Sequence, residues 1–568
     1  MKKLKYLIAV LAFAMCSGTA MAQGMGIYLG GKRIELKEGD KVTFEASNKG
    51  GDEGGDEGDT GSTDEPEITV TVTQDGNVEV FQGAQMTFFG DLDQYLLTIQ
   101  NYPNLLWNTT GHCYFGYAAV MHIRDVVTDD MFMQGSGSFG YDHFRSWAKN
   151  SLGPNHLNTQ FVWEYYAGAI AACNKLIAAI DEANADSNDR LKEYLGLAYA
   201  HRAMYYLDLA RMYEYLPCDA TRPVSNIGTN INGLTVPIIT EKMTDEQIAR
   251  ATRATRSEMH TFILSDLNKA ENYLATYQRS DKRLPDLSCV YGLQARLNMW
   301  IEDYGLAKQY AAKAIAQSGA TPMTQTEMLD TRNGFNTLDA TAWMWGAQPR
   351  HDDQVVTSGI INWPSWMSNQ TTFGYTGTAT DMFTCITPSL YNSIGQGDIR
   401  RQLFKYTGNE PYTPGVDFES MPTYTSLKFR PYQGNTDESS IGAQAAYPLM
   451  RVEEMYLIQA EAAAQLTPTE GKTLLDNFMR TYRDQSYDFS PSSVTSQSVT
   501  AEIIKQKRIE LWGEGQTFFD IKRLNIPIDR ISDGNADYIA QEQQFRTTTR
   551  PAWTNWVFVS PYSMTTYK

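Results

Sequence analysis

Cysteine is scarce in this chain. Six occur in 568 residues, at positions 16, 113, 173, 218, 289 and 385, with no CxxC pair and no zinc-ligand spacing. This argues against a disulfide-stapled scaffold while leaving a single bridge open, and a chain of this length can bury its core without such help. Cys173 falls on an apolar helical face, where a free thiol behaves as a small hydrophobe. Histidine is scarce too, seven in all. The seven are scattered, so no nucleophile has a positioned base, and His201 sits among core aromatics. There is no GxSxG, no HExxH and no GxGxxG in a strand–turn–helix context. Gly135-Ser-Gly-Ser-Phe-Gly140 is glycine-rich but lacks the lysine of a phosphate loop. Asp129-Asp130 and Asp352-Asp353 flank aromatic stretches, yet glycoside hydrolysis needs two carboxyls at a set separation, which sequence does not carry. No catalytic residue, cofactor or metal site is expected. Positive charge is also short: 48 Lys and Arg stand against 66 Asp and Glu, a net charge of −18. A surface of that sign argues against nucleic acid and against direct docking on anionic lipid.

Long apolar runs are missing too, apart from Tyr6 to Met15. That run follows Met1-Lys-Lys-Leu-Lys and is too short for a stable membrane span. A basic start and a short apolar stretch make residues 1–22 a secretory signal peptide. Ala20-Met-Ala22 fits cleavage before Gln23. Acylation at Cys16 is the competing outcome, although Phe-Ala-Met is a poor lead-in for it. Residues 23–48 follow as a short β-like segment with a hairpin at Gly30-Gly31. Residues 49–66 are an acidic Gly-rich linker, Gly50-Gly-Asp-Glu-Gly-Gly-Asp-Glu and onward, which repels itself and has no core-forming residues. Its spacing does not match a calcium loop, so a spacer is favoured over a cation site. Residues 67–81 carry a second β segment, Ile68-Thr-Val-Thr-Val-Thr, with alternating apolar positions.

Residues 82–568 form the main domain, read as all-α. Helical periodicity runs from Phe161 through Ile177 and from Arg190 to Tyr215, with Pro217 as the stop. It resumes over Thr255 to Tyr277, Leu287 to Ile301, Leu306 to Ile315, Tyr447 to Ala464, Gly471 to Tyr482, Glu502 to Trp512 and Gly515 to Arg523. Ala295, Tyr304, Ala307, Tyr310, Ala311 and Ala314 occupy positions resembling a tetratricopeptide unit, where small residues let two helices approach. Long irregular stretches, Trp107 to Asn158 and Ala320 to Ala446, interrupt these helical hairpins. Loops of that length on a rigid scaffold commonly carry function.

Particular residues then point to a family. They begin with Val127-Thr-Asp-Asp130, Trp163-xx-Tyr166-xxx-Ile170-xxx-Asn174, and Arg202-Ala-Met-Tyr-Tyr-Leu-Asp-Leu-Ala-Arg211. Val236-Pro237, Pro388-Ser-Leu-Tyr391 and Asp398-Ile-Arg-Arg401 follow. The series closes with Arg451-Val-Glu-Glu-Met-Tyr-Leu-Ile-Gln-Ala-Glu and Gln506-Lys-Arg-Ile-Glu-Leu-Trp-Gly-Glu-Gly-Gln-Thr-Phe-Phe-Asp-Ile-Lys-Arg523. In this order they resemble the SusD/RagB family of outer-membrane nutrient-binding proteins. The resemblance implies a surface-exposed protein of the cell outer membrane. Such a protein binds an oligosaccharide and passes it to a SusC-like TonB-dependent transporter, without chemistry. Two alternatives stay open: uptake of peptide or another non-sugar nutrient, and a scaffold that mainly binds the transporter. Within the motifs, Trp163, Tyr166 and Ile170 share a helix face and belong to the core. Glu461, Arg508, Glu510 and Asp520 are expected in helix-to-helix ion pairs. Arg480 and Arg483 are expected to favour a helix C-terminal dipole.

Sugars offer C–H faces to aromatic rings and hydroxyls to amides and carboxylates. With 33 Tyr and 11 Trp, the chain has rings to spare beyond its core. The first candidate loop holds Trp107, Asn108, Asp129, Asp130, Tyr141, Trp147 and Asn150. The resemblance places a stacking aromatic and an amide at Trp147 and Asn150. The second holds Trp363, Trp366 and Tyr375, with Pro364 stiffening it. Trp343 and Trp345 alternate in a buried strand and are left out.

Overall fold

The structure, a computed structural model, describes the backbone strands 26–29, 32–35, 41–44, 68–72 and 78–82. It also describes residues 90–528 apart from 108, 110, 136–156, 181, 217–229, 231 and 379. The signal segment 1–22 with Cys16, and the linker 49–66, lie outside the described residues. So do Asn108, Tyr141, Trp147, Asn150 and Cys218. Two compact units divide between Asp93 and Gln94. In the first, β1 (Gly26–Leu29) and β2 (Lys32–Glu35) make an antiparallel hairpin with Leu29 opposite Lys32. β3 (Lys41–Phe44), β4 (Ile68–Val72) and β5 (Val78–Gln82) form an antiparallel sheet in that order.

The second unit is mostly helical, with the short strands β6 (Met131–Gly135), β7 (Leu234–Pro237), β8 (Arg253–Thr255), β9 (Trp343–Ala347), β10 (Met382–Ile386) and β11 (Tyr447–Arg451). Its helices begin with α1 (Gly90–Asn101), α2 (Tyr117–Val126), α3 (Leu157–Ala178) and α4 (Asp189–Tyr213). Next come α5 (Arg256–Tyr273), α6 (Leu287–Trp300), α7 (Tyr304–Ser318) and the single turn α8 (Trp363–Met367). The last four are α9 (Val452–Leu466), α10 (Pro468–Tyr482), α11 (Ser496–Glu510) and α12 (Thr517–Leu524). Helix starts follow local chemistry. Asn188 caps α4 by accepting from the N–H groups of Arg190 and Leu191, and Thr255 with Glu258 forms a reciprocal capping box on α5. Pro468 opens α10, where a missing N–H costs no hydrogen bond.

Consecutive helices pack in a chain of neighbours: α3 on α4, α4 on α5, α5 on α6, α6 on α7, α7 on α9, and α9 on both α10 and α11. In α7 the inward positions are Ala307, Ala311 and Ala314, all fully buried. Where α9 meets α10, Gly471 lies so close to Ala464 that an added Cβ would stand 2.5 Å from its backbone nitrogen. Leu457, Ala460, Ala464, Leu475, Phe478, Met479, Val499 and Ile503 then form a continuous apolar cluster among α9, α10 and α11. The terminal helix α12 returns to pack on α2. Among the described residues, no helix is long and apolar enough to cross a membrane.

Two elements differ from the sequence expectation. Tyr447–Arg451 is not the start of a helix but a strand, β11, paired antiparallel with β9 (Trp343–Ala347). All five of its residues are buried, and a short apolar run carries no period that separates strand from helix. The irregular stretch expected from Trp107 contains α2, whose ten residues are all buried, including His122, Arg124 and Asp125. A helix buried all round shows no amphipathic stripe.

The closing motif of the sequence is the interior of this unit. Arg483 donates from Nε to Glu510 Oε2 at 2.7 Å and from Nη2 to Glu510 Oε1 at 2.9 Å and Glu453 Oε1 at 3.1 Å. It was expected to serve a helix dipole; instead it is fully buried in an ion network. Arg451 reaches Glu510 at 3.2 Å, Glu453 at 3.0 Å and Glu514 at 2.9 Å. Arg400 pairs with Asp398 at 2.6 Å and Glu510 at 3.2 Å, and Lys428 with Glu514 at 2.7 Å. Four cations thus face four carboxylates, which is how buried charge is tolerated. The expected pairing of Glu461 and Asp520 is also present: each accepts from Lys507 Nζ at 2.9 Å.

Candidate functional site

The short strands decide where the loops meet. β6 (Met131–Gly135) pairs antiparallel with β10 (Met382–Ile386), which sets Gly135 opposite Met382. Gly377 donates its N–H to Met382 O at 2.7 Å. The end of β6 therefore lies beside the loop that carries Tyr375. On α3, Phe161 packs against Trp107, ring centroids 5.7 Å apart. Trp107, His112 and Tyr375 are each half-buried.

Tyr375 is the best-presented ring. Its N–H donates to Ser365 O at 2.7 Å. The preceding Gly374 has φ +98°, and an added Cβ would stand 2.4 Å from Ser365 Cβ, so only glycine fits this turn. One face of Tyr375 stacks on Trp366 at 4.5 Å and 17°. Its hydroxyl shares a hydrogen bond with His112 Nδ1. Burial raises the Tyr375 phenol above its ordinary range, so it remains a neutral donor and acceptor.

Trp107 donates from Nε1 to Glu164 at 3.0 Å and meets Tyr114 edge-on at 5.2 Å. Its backbone N–H donates to Tyr114 O at 3.2 Å. Two side chains without a sequence signal join the site. His112 fixes the Tyr375 hydroxyl, and Glu164, exposed on α3, fixes the Trp107 indole. Neither position follows a period or a motif, so only the folded arrangement reveals them.

The remaining expected residues lie elsewhere. Trp363 and Trp366 were expected in an exposed arc, but each is only 3% exposed. Trp363 is packed edge-on against Phe429 at 5.0 Å and beside Tyr447 at 6.0 Å. Trp366 lies between Tyr375 and Phe115 and donates from Nε1 to His112 O at 2.9 Å. Pro364 does not stiffen an open loop. It sits within the turn α8, which Asn362 caps by accepting from Ser365 N at 3.0 Å. Trp366 is thus the floor on which Tyr375 rests.

Asp129 and Asp130, expected to meet sugar hydroxyls, instead face Arg508 of α11. Arg508 Nη2 donates to Asp129 at 2.8 Å and Nε to Asp130 at 2.7 Å. Asp130 O accepts from Trp512 Nε1 at 3.0 Å as well. The acidic turn is a clasp between β6 and the closing motif. Burial raises the Asp130 carboxyl, opposed by Arg508 and reinforced by Asp129. Burial pushes His122 down to about 3, and Cys113 up to about 12.

The side chains of Trp107, Tyr375, His112 and Glu164 offer ring faces and edges, a phenol, an imidazole and a carboxylate. They suit a ligand with flat apolar faces and hydroxyl rims.

Comparison with known proteins gives the same direction. Residues 346–566 match the family model described as the SusD family. Residues 118–299 match a second, SusD-like model described as starch-binding associating with outer membrane. No curated protein matches the chain. Among solved structures, a SusD-like carbohydrate binding protein from Bacteroides vulgatus is 23% identical with a TM-score of 0.60, over 78% of this chain and 84% of that one. A SusD superfamily protein from Bacteroides thetaiotaomicron is 18% identical at TM-score 0.60, over 81% and 94%. Another from Bacteroides vulgatus is 19% identical at TM-score 0.60, over 84% and 98%. At these identities the likeness establishes the shared fold.

Proposed function

Because this chain belongs to the SusD/RagB family, we propose that it captures an oligosaccharide at the outer face of the outer membrane and delivers it to a SusC-like TonB-dependent transporter. The observation that carries the reading is the Tyr375 platform. A ring stacked from below on a buried Trp366, with its hydroxyl held by His112, is a preorganised surface for a pyranose face. The family model's description as starch-binding supports a sugar ligand.

Binding energy comes from covering C–H faces with rings, plus hydrogen bonds that replace those made to water. One or two stacked rings give modest affinity, which favours release into a transporter. The family consists of binding proteins, and capture without turnover is the proposed mechanism. Trp147 and Asn150, at the sequence positions between β6 and α3, remain proposed contributors of a second ring and an amide. The signal segment with cleavage after Ala22, or acylation at Cys16, is the proposed route to the surface.

Calorimetric titration of the mature chain with a panel of neutral oligosaccharides tests this. Saturable binding at micromolar to millimolar ligand is expected, with no change in the sugar recovered afterwards. Binding to peptides but to no oligosaccharide would turn the assignment to a non-sugar nutrient.

A further inference from the structure

A cavity of about 40 Å³ lies away from the aromatic site, between α4, α6, α9, α11 and α12. It has room for a few water-sized bodies but not for a sugar ring. Six of its lining side chains are basic: Arg211, Arg256, Arg296, Lys507, Lys522 and Arg523. Three are acidic, in a chain whose net charge is −18.

The pairings show where charge is balanced and where it is not. Arg256 binds Glu214 at 2.6 Å, and Arg296 binds Glu454 at 2.6 Å. Lys507 and Arg523 share Asp520 and Glu461. Those four cations and four carboxylates cancel. Lys522 donates to the carbonyl oxygens of Arg211 and Met212 at the C-terminus of α4, 2.8 and 2.7 Å away. Arg211 shares its carboxylate: Asp208 accepts from Arg211 at 2.6 Å and also from Arg124 at 3.0 Å. Two guanidinium groups thus lean on one carboxylate, whereas the network around Glu510 is balanced four to four. Burial, with Arg296 and Arg124 nearby, holds the Arg211 guanidinium below its ordinary range.

A second observation concerns Arg523. Its side chain is 6% exposed, its Nη2 serves Glu461 and Asp520, and its Nη1 has no hydrogen-bond partner among the described residues. A buried guanidinium N–H without an acceptor costs free energy. The guanidinium fork is also the shape that grips tetrahedral oxyanions.

We propose that this cavity binds a small tetrahedral oxyanion, free inorganic phosphate or sulfate, between Arg211, Arg256 and Arg523. The ion would supply the negative charge that Asp208 shares between two cations and would give acceptors to Arg523 Nη1. It would also tie α12 to α4 and α9.

The test is thermal unfolding of the full mature chain in sodium sulfate or sodium phosphate, against sodium chloride of equal ionic strength. A saturable rise in Tm with either oxyanion, missing with chloride, is expected. Arg211→Gln leaves Asp208 paired with Arg124 and should abolish the rise. Should that variant not fold, Gln516→Glu places a carboxylate in the lining without touching an ion pair, and should weaken the oxyanion response at least about tenfold. Equal effects of sulfate and chloride, or an unchanged response in the variant that folds, would overturn the proposal. A sugar sulfate ester as effective as inorganic sulfate would overturn the assignment to a free ion.

Discussion

Glu510 accepts from three buried guanidinium groups, those of Arg400, Arg451 and Arg483. They hold its carboxyl below the usual range against the opposing effect of burial. Replacing it, Glu510→Gln, leaves those cations facing only Glu453, Glu514 and Asp398. A loss of about 3–5 kcal/mol in urea unfolding is expected, the usual result of removing one partner from a buried pair. Single residues also set the pH response. Burial lowers the His201 imidazole from 6.5 to about 4, and a hydrogen bond to Leu197 O only partly offsets this. A histidine with a depressed folded pKa binds its proton in the unfolded chain first, so stability falls as pH drops from 6.5 toward 4. Asp208, held down to about 2 by Arg124 and Arg211 despite burial, adds a loss below pH 3.8. In His201→Gln, the slope of unfolding free energy against pH should fall by about 1.4 kcal/mol per unit between pH 4 and 6.5. An unchanged slope would mean that His201 titrates normally. Which aromatics face outward was the part least legible at this scale. Trp343 and Trp345 read correctly as buried because they alternate in an apolar strand. Trp363 and Trp366 gave no such pattern, and burial there is imposed by Phe429, Tyr447 and Phe115, which are remote in sequence.

Helices with one apolar stripe were read nearly to their ends. α4 was expected from Arg190 and begins at Asp189, beside its Asn188 cap. α2 was missed because its charged residues are buried with the rest. Arg124 is spent on Asp208, and Asp125 accepts from Gly515 N–H at 2.8 Å. β11 was assigned to the helix that follows it, since a strand wholly inside the core does not alternate. The pairing of α9 with α10 offers a direct test of helix packing. Gly471→Ala places a Cβ 2.5 Å from the Ala464 backbone, and overpacking of this kind costs about 1–3 kcal/mol. A drop in Tm of that size is expected, with helical circular dichroism retained below the transition. Removing the α5 cap, Thr255→Ala, should cost about 1 kcal/mol in the same assay, because the N–H of Glu258 loses its acceptor.

At the scale of the molecule, the closing motif explains why its residues could be recognised without naming the ligand. Arg451, Glu510, Trp512 and Glu514 are buried scaffold, and Arg508 clasps Asp129 and Asp130. A motif made of buried charges announces the family and is silent about what is bound. The candidate site is built instead from Trp107, His112 and Tyr375, with His112 linked to Tyr375 through its hydroxyl and to the Trp366 indole through its carbonyl. Ligand capture is therefore expected to depend on exposed rings and to be insensitive to the motif, provided the fold is kept. The most direct measurement is titration of a bound oligosaccharide into the mature chain beside the Tyr375→Ala and Trp107→Ala variants, each with its Tm recorded. Loss of one stacked ring is expected to weaken binding about tenfold, equivalent to about 1.4 kcal/mol, with Tm little changed. Unaltered affinity in both variants, at unaltered Tm, would contradict the placing of the sugar on this platform.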